Sequence, residues 1–481
     1  MQISNTLTGR LDALVAPDGH VGIYVCGVTP YDVAHVGHAM SLIVYDVLVR
    51  YLRWPGNPRG GLRVTYVSNY TDVDDKLIER AAELGRDPIE LAAANIEVWE
   101  AEQRALGLLA PDVRPRVTQE VPAIIATIEA IVGHGMAYVT AEGDVYFRVR
   151  ASADYGKLSH RNIDELRTGT RFEPGEGKEF ALDFALWKAE KPGEPSWDSP
   201  WGRGRPGWHI ECTTMAQRYL GTTFDIHGGG VDLIFPHHEN EIAQAEAGSG
   251  QPFARIWMHN GMVQRNGEKM SKSTGNVVTV ADALERWSPD AIRLFVLNSQ
   301  YRSPNNLTDE AMNAATRAVE RLATALEEAP AGTGAMIDAT PFRERFVAAL
   351  ENDLATPQAL AALFDLARAI NRGRDAGERV GEAQAALHAL AGVLGLTLVS
   401  ARDDAATRVN AAALSKLAAR LEVVCGGTDV EATMDALLAR RQAARAERDF
   451  ALADTIRDEL AALGVAIEDT PGGARWTARR D

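Results

Sequence analysis

The stretch that decides the fold is Val21-Gly22-Ile23-Tyr24-Val25-Cys26-Gly27, followed by His35-Val36-Gly37-His38 and the run Ala39 to Leu52. Val21 to Val25 is apolar and of strand length, whereas Ala39 to Leu52 carries apolar residues at helical spacing. The two histidines therefore sit at a strand-to-helix passage, where backbone N–H groups and the helix dipole favour phosphate. A second string, Lys269-Met270-Ser271-Lys272-Ser273, puts two lysines on a Ser/Gly-rich loop that could close over a triphosphate. There is no Walker-type GxxxxGK[ST]. Each string alone is weak, since HxGH recurs by chance and a KMSKS-like run could be an exposed basic loop. Their joint occurrence, each beside a strand-to-helix transition, points to a nucleotide site that works by positioning and charge stabilisation.

A third constellation consists of Cys26, Cys212, His237 and Glu241. His237 and Glu241 are four residues apart and share one face if a helix begins after Pro236. Two thiolates, an imidazole and a carboxylate suit zinc in softness and number. Scattered cysteines are nevertheless often small buried hydrophobes, and spacing alone leaves both readings open.

The paired strings resemble the signatures of class I aminoacyl-tRNA synthetases. Longer segments are more specific: Tyr24-Val25-Cys26-Gly27, Pro192-Gly193-Glu194-Pro195-Ser196-Trp197, Arg205-Pro206-Gly207-Trp208-His209-Ile210-Glu211-Cys212 and Phe224-Asp225-Ile226-His227-Gly228-Gly229-Gly230 resemble the cysteinyl-tRNA synthetase family over nearly the whole chain. The resemblance implies that Cys26, Cys212, His237 and Glu241 hold one zinc ion per chain, which binds the thiolate of L-cysteine directly. Such a site separates cysteine from serine where a hydrophobic pocket would gain only a few kcal/mol. It also implies that Trp208 covers the amino acid, that Thr71 and Gly27 lie beside it, and that Gly228, Gly229, Gly230 and Asp232 receive the adenosine of ATP. His35, His38, Lys269 and Lys272 would stabilise charge on the phosphates, with Mg²⁺ travelling with ATP. Without the resemblance, Trp208 reads as a core aromatic, Thr71 with Asp72 as a helix N-cap, and the three glycines as a flexible turn.

Some positions depart from the family pattern. Val28-Thr29-Pro30-Tyr31 and Ala39-Met40 resemble a cousin, the mycothiol-pathway cysteine ligase, which couples activated cysteine to an amino-sugar inositol. The carboxyl end discriminates, because Arg445 to Trp476 resembles the terminal anticodon-binding module that the cousin lacks. A non-catalytic tRNA-binding paralogue is a further alternative, opposed by the intact HVGH and KMSKS strings.

At 481 residues with 46% hydrophobic content, the chain can build several cores. No run approaches the roughly 20 apolar residues of a membrane span, and the first residues lack a signal-peptide pattern. Three cysteines fit a reducing cytoplasm rather than a disulfide framework. A net charge of −16 is unusual for an RNA binder, but Arg440, Arg441, Arg445, Arg448, Arg475, Arg479 and Arg480 concentrate positive charge near the end. The expected partners are tRNA(Cys), ATP and L-cysteine, and the expected state is a monomer.

Strand-like runs (Val21 to Cys26, Val64 to Val67) alternate with helical ones (Ser41 to Arg53, Pro88 to Leu106), as in a doubly wound, Rossmann-like α/β domain. The expected division is a catalytic half over 1–126, a connective insertion over 127–204 with strands at Ala137 to Thr140 and Asp144 to Val149, and a second catalytic half over 205–266. The KMSKS and stem-contact region (267–306), a helical bundle (307–400) and a terminal module (401–481) follow. In the bundle, Thr308 reads as an N-cap before Met312, Ala315, Val319, Leu322 and Leu326, Pro357 as a first helical residue, and Ala329 to Pro341 as a loop.

Overall fold

A computed structural model describes residues 1–162, 177–270, 275–327, 332–399, 409–423, 429–470 and 473–478. An N-terminal hairpin of β1 (Gln2–Asn5) and β2 (Arg10–Ala13) leads into β3 (His20–Val28), which lies inside a parallel sheet. Helix α1 (Val36–Arg53) follows, and β4 (Arg63–Tyr70) returns beside β3. Two later strands, β9 (Phe224–Gly230) and β10 (Ala254–Asn260), add to the other edge, giving the order β10-β9-β3-β4. Ile23 thus faces Tyr66 on one side and Ile226 on the other. Strands covered on both faces need continuous apolar runs, which is why Val21, Ile23, Tyr24 and Val25 are all buried. The first connection from β3 places β4 on one side and the later strands β9 and β10 are added on the other, so a crevice opens at the carboxyl ends of these strands where the strand order reverses.

The expected helix at Pro88 is α3 (Pro88–Ala105), capped by Asp87 with Pro88 in its first turn. Thr71 and Asp72 are not the cap of α2 (Asp75–Leu84). Thr71 N–H still donates to Val28 O at 3.1 Å, so the chain is extended there, and Asp74 caps α2 through Lys76 N–H. Asp72 instead reaches α4 (Val117–Gly133), accepting from Thr118 N–H at 3.0 Å and Thr118 Oγ1 at 2.6 Å. Helix α4 runs straight across position 127. Beyond it, β5 (Ala137–Val139), β6 (Val145–Phe147), β7 (Phe184–Ala189) and β8 (Gly204–Pro206) form an antiparallel sheet. Its Phe147, Leu186 and Trp187 share one core with Ile124, Ile128 and Ile131 of α4.

Helices α5 (Trp208–Leu220) and α6 (Glu239–Ser249) flank β9, with an irregular wide turn over Ile234–His238 before α6. A small sheet is formed by β11 (Val263–Arg265), β12 (Glu268–Lys269) and β13 (Asn305–Leu307), and β12 ends on Lys269, the first residue of the KMSKS string, of which Ser271, Lys272 and Ser273 lie outside the described residues. Then come α7 (Val280–Arg286) and α8 (Pro289–Leu297). Arg293 of α8 is fully buried, pairs with Asp46 of α1 and donates to Leu394 O at 2.9 Å.

The bundle comprises α9 (Asp309–Thr324), α10 (Thr340–Glu351), α11 (Thr356–Asp375) and α12 (Gly381–Val393). Thr308 caps α9 through Ala311 N–H at 3.1 Å, and Met312, Ala315, Val319 and Leu322 are buried as the spacing requires. Two boundaries shift by a residue or so: Thr356 is itself helical, which puts Pro357 second, and α10 starts at Thr340, which draws Pro341 out of the expected loop. The end of the chain holds α13 (Ala411–Arg420), α14 (Val430–Ala446), α15 (Phe450–Ala462) and a hairpin of β14 (Val465–Thr470) and β15 (Gly473–Ala478). They close around Leu414, Met434, Leu437, Ile456 and Leu460. Among the described residues, no helix is long and apolar enough to cross a membrane.

Candidate active site

Four elements bring the cysteine pair, the imidazole and the carboxylate together at the carboxyl end of the sheet. Cys26 is near the end of β3, Cys212 lies in the second turn of α5, His237 is the next-to-last residue of the wide turn, and Glu241 is in the first turn of α6. One potential ligand atom from each lies within 4.8 Å of the other three. His237 Nε2 is 3.0 Å from Glu241 Oε1, so the i, i+4 spacing does place both on one face, although the turn before α6 is irregular. Cys26 Sγ is 3.5 Å from the same oxygen. Burial pushes the Cys26 thiol and the Glu241 carboxyl well up and the His237 imidazole well down from their ordinary values. Such a concentration of buried donors is costly unless a cation takes it up, and the mixed S, N, O set matches zinc.

The surrounding shell contains residues that spacing did not single out. His227 Nε2 lies 2.9 Å from the second Glu241 oxygen, and His209 Nδ1 lies 2.8 Å from His237 Nδ1. His238 approaches Cys26 Sγ at 3.3 Å and His259 at 2.8 Å. Burial holds the rings of His209, His227 and His259 down to about 3, so they are neutral and can orient ligands by hydrogen bonding. Cys26, His227, His238 and Glu241 form a second, overlapping group whose ligand atoms also lie within 4.8 Å of one another. Asn69 was equally unmarked, yet its amide side chain accepts from Gly27 N–H at 2.9 Å, donates to Thr71 Oγ1 at 3.3 Å and lies 3.8 Å from Cys212 Sγ. The signal was present: Asn69 stands two residues before Thr71, and His209 directly follows Trp208.

Trp208 is not a core aromatic. It is 39% exposed at the start of α5, and its ring stacks on His237 with centroids 4.2 Å apart. The glycine string is not a flexible turn either. Gly228, Gly229 and Gly230 end β9 in register with Met258, His259 and Asn260. A Cβ on Gly228 would come within 2.4 Å of the Tyr45 ring, so close approach of a neighbour requires glycine there. Asp232 follows in a short helical turn over Val231–Leu233.

The two motif histidines build the start of α1. His35 is its N-cap and accepts from Gly37 N–H at 3.1 Å, while His38 Nδ1 accepts from His35 N–H at 3.2 Å. The rings stack with centroids 3.9 Å apart. Two first-turn groups expected to face phosphate thus meet the rings themselves. A Cβ at Gly37 would lie 4.0 Å from the methyl of Met270, which places the described edge of the KMSKS string beside the HVGH turn. Lys269 ends β12 opposite Gln264, and Lys272 lies outside the described residues. At the carboxyl end, Arg441 is buried in the terminal module rather than facing outward, whereas the side chain of Arg440 is 39% exposed.

A family model described as "tRNA synthetases class I (C) catalytic domain" matches residues 14–317, a DALR domain matches 345–399, and a "Cysteinyl-tRNA ligase anticodon binding domain" matches 427–476. The cysteine–tRNA ligase of Halorhodospira halophila is 49% identical over 485 residues, covering 100% of both chains. That of Alkalilimnicola ehrlichii is 48% identical over 480 residues, with 99% of each chain covered. In fold, the chain is similar to the Mycobacterium tuberculosis methionyl-tRNA synthetase solved with methionyl-adenylate, at TM-score 0.56 and 17% identity over 78% of this chain and 89% of that one. Identity of this level sustained from end to end, on a class I fold, means that the chain belongs to the cysteine–tRNA ligase family.

Proposed function

We propose that the protein activates L-cysteine with ATP, forming cysteinyl-adenylate and pyrophosphate, and then transfers the cysteinyl group to a ribose hydroxyl at the 3′ end of tRNA(Cys), releasing AMP. The observation that carries this reading is the full-length likeness to cysteine–tRNA ligases, terminal module included. The gathered Cys26, Cys212, His237 and Glu241 support cysteine as the amino acid. These four would hold Zn²⁺, which when bound supplies a soft Lewis acid for a thiolate and so favours cysteine over serine. Asn69 keeps Gly27 and Thr71 in place beside the amino acid, and Trp208 covers it from the edge of α5. Gly228 to Gly230 and Asp232 line the adenosine side. His35, His38, Lys269 and Lys272 stabilise charge on the phosphates of ATP, which enters with Mg²⁺. No protein nucleophile is needed, because the adenylate carbonyl is attacked by the RNA hydroxyl itself. We read the protein as a cytoplasmic monomer.

The test gives purified protein cysteine and ATP with either cognate tRNA or an amino-sugar inositol acceptor. Acylation of tRNA alone is the expected result. Acylation of the amino sugar alone would assign the protein to the small-acceptor ligase, and binding of tRNA without any adenylate formation would make it a non-catalytic paralogue.

A further inference from the structure

Strands β7 and β8 place two cations directly opposite one another, Lys188 against Arg205. Like charges in register across a strand pair destabilise it. Here one carboxylate from outside the sheet lies between them: Arg205 Nη2 is 2.5 Å from Asp75 Oδ1, and Lys188 Nζ is 2.5 Å from Asp75 Oδ2. Arg205 also donates from Nε to Glu194 Oε2 at 2.8 Å, and its side chain is only 4% exposed. Asp75 is the first residue of α2 and stands four residues after Thr71. Arg205 stands three residues before Trp208. The intervening link has little slack, since Gly207 N–H donates to Leu186 O at 2.8 Å and a Cβ on Gly207 would sit 2.0 Å from Ala185 O. Helix α5 has no side-chain cap at its start, so its position there is set by the segment feeding it.

We infer that Asp75, Lys188 and Arg205 form an ionic latch that positions the amino-acid pocket, by fixing the start of α5 and therefore Trp208 over His237 and Cys212 one turn further on. The inference rests on the cysteine-activating reading above. None of the three latch residues touches the reacting atoms; they are positioning residues. Asp75 is suited to this: burial raises its carboxyl, but Lys188 and Arg205 outweigh that and hold it at about 2, so the latch stays charged at working pH.

The geometry makes a specific demand on mutants. Asp75→Asn removes the one carboxylate shared by Lys188 and Arg205 and leaves Glu194 on Arg205 alone, so the end of the β7–β8 pair should splay and carry Trp208 with it. Adding Lys188→Met removes the repulsion. In cysteine-dependent ATP–pyrophosphate exchange, Asp75→Asn should raise the KM for cysteine about tenfold and leave the KM for ATP unchanged, a split expected of lost positioning at one substrate. The double variant should recover most of that loss, and Asp75→Glu should behave nearly as wild type. The part of the tryptophan fluorescence change on cysteine addition that Trp208→Phe abolishes should weaken in step with the KM. An unchanged cysteine KM in Asp75→Asn would overturn the latch. So would a parallel loss in both KM values, kcat and melting temperature that Lys188→Met does not relieve, since that is the mark of a merely structural ion cluster. If the wild-type protein itself lacked cysteine-dependent exchange, the underlying reading would fall and the latch with it, an outcome distinguished by the wild-type control.

Discussion

At the scale of single residues, Glu241 shows how much chemistry one buried carboxylate organises. One oxygen meets His237 and Cys26, the other meets His227, and no arginine or lysine shares the pocket among the described contacts. Because Cys26, Cys212, His237 and Glu241 come from four separate elements, no local sequence window contains the site, and spacing alone could not choose between a metal and small buried thiols. Cys212→Ser should therefore lower bound zinc from about one per chain to well below that, and raise misactivation of serine. Metal analysis alongside exchange assays with both amino acids checks this, and a zinc-free protein still selective for cysteine would refute it. Lys272 invites a different test. If it stabilises charge only as pyrophosphate departs, Lys272→Ala should cut the exchange kcat by roughly 10²-fold or more with little change in cysteine binding. An unaltered rate would mean that the KMSKS string is no more than a basic loop.

At the scale of elements, helix ends and ion pairs hold the architecture in register. The HVGH turn uses its own two imidazoles as caps for α1, which explains why an HxGH pattern lies at a helix start. The buried Asp46–Arg293 pair then ties α1 to α8 and to Leu394, the C-cap of α12. Such a pair contributes alignment more than net stability. A second junction joins the N-terminus to the bundle: Glu351 of α10 meets the Met1 ammonium at 2.7 Å, Arg59 at 2.9 Å and Tyr51 Oη at 2.7 Å. Burial alone would raise the Glu351 carboxyl, but Arg59, the N-terminal ammonium and Tyr51 outweigh it and hold the group at about 2, below its ordinary 4.5. A carboxyl lowered in the folded state stabilises the fold above its free value and ceases to do so as pH falls through the folded one. Glu351→Gln should thus cost on the order of 1–3 kcal/mol near neutrality. The melting-temperature gap to wild type should narrow steadily as pH drops from 4.5 towards 2. Parallel melting curves across that window would show that the junction carries no linked charge.

At the scale of the whole molecule, the catalytic centre and the terminal module are separate cores joined through the bundle, so their contributions should be separable. Truncation near Ala401 should leave adenylate formation largely intact and weaken tRNA charging, chiefly through the KM for tRNA. Charging by the full chain should also fall steeply with added salt, because phosphate contacts release counterions. Exchange and aminoacylation on both proteins at two salt concentrations measure this, and equal charging by the truncated protein would remove the module from RNA binding. The alternation of apolar runs and amphipathic stretches determined by itself the doubly wound pattern, the first two strands of the insertion and the Thr308-capped start of the bundle, because strand and helix periods are local properties of the chain. Long specific strings such as Arg205 to Cys212 likewise made the family legible. Only the tertiary structure decided that Cys26, Cys212, His237 and Glu241 converge, that Trp208 is exposed and stacked, that Gly228 yields to Tyr45, and that Asp75 lies between Lys188 and Arg205. Each of these depends on side chains dozens to hundreds of residues apart meeting within a few ångströms, a distance that packing sets and sequence separation does not encode.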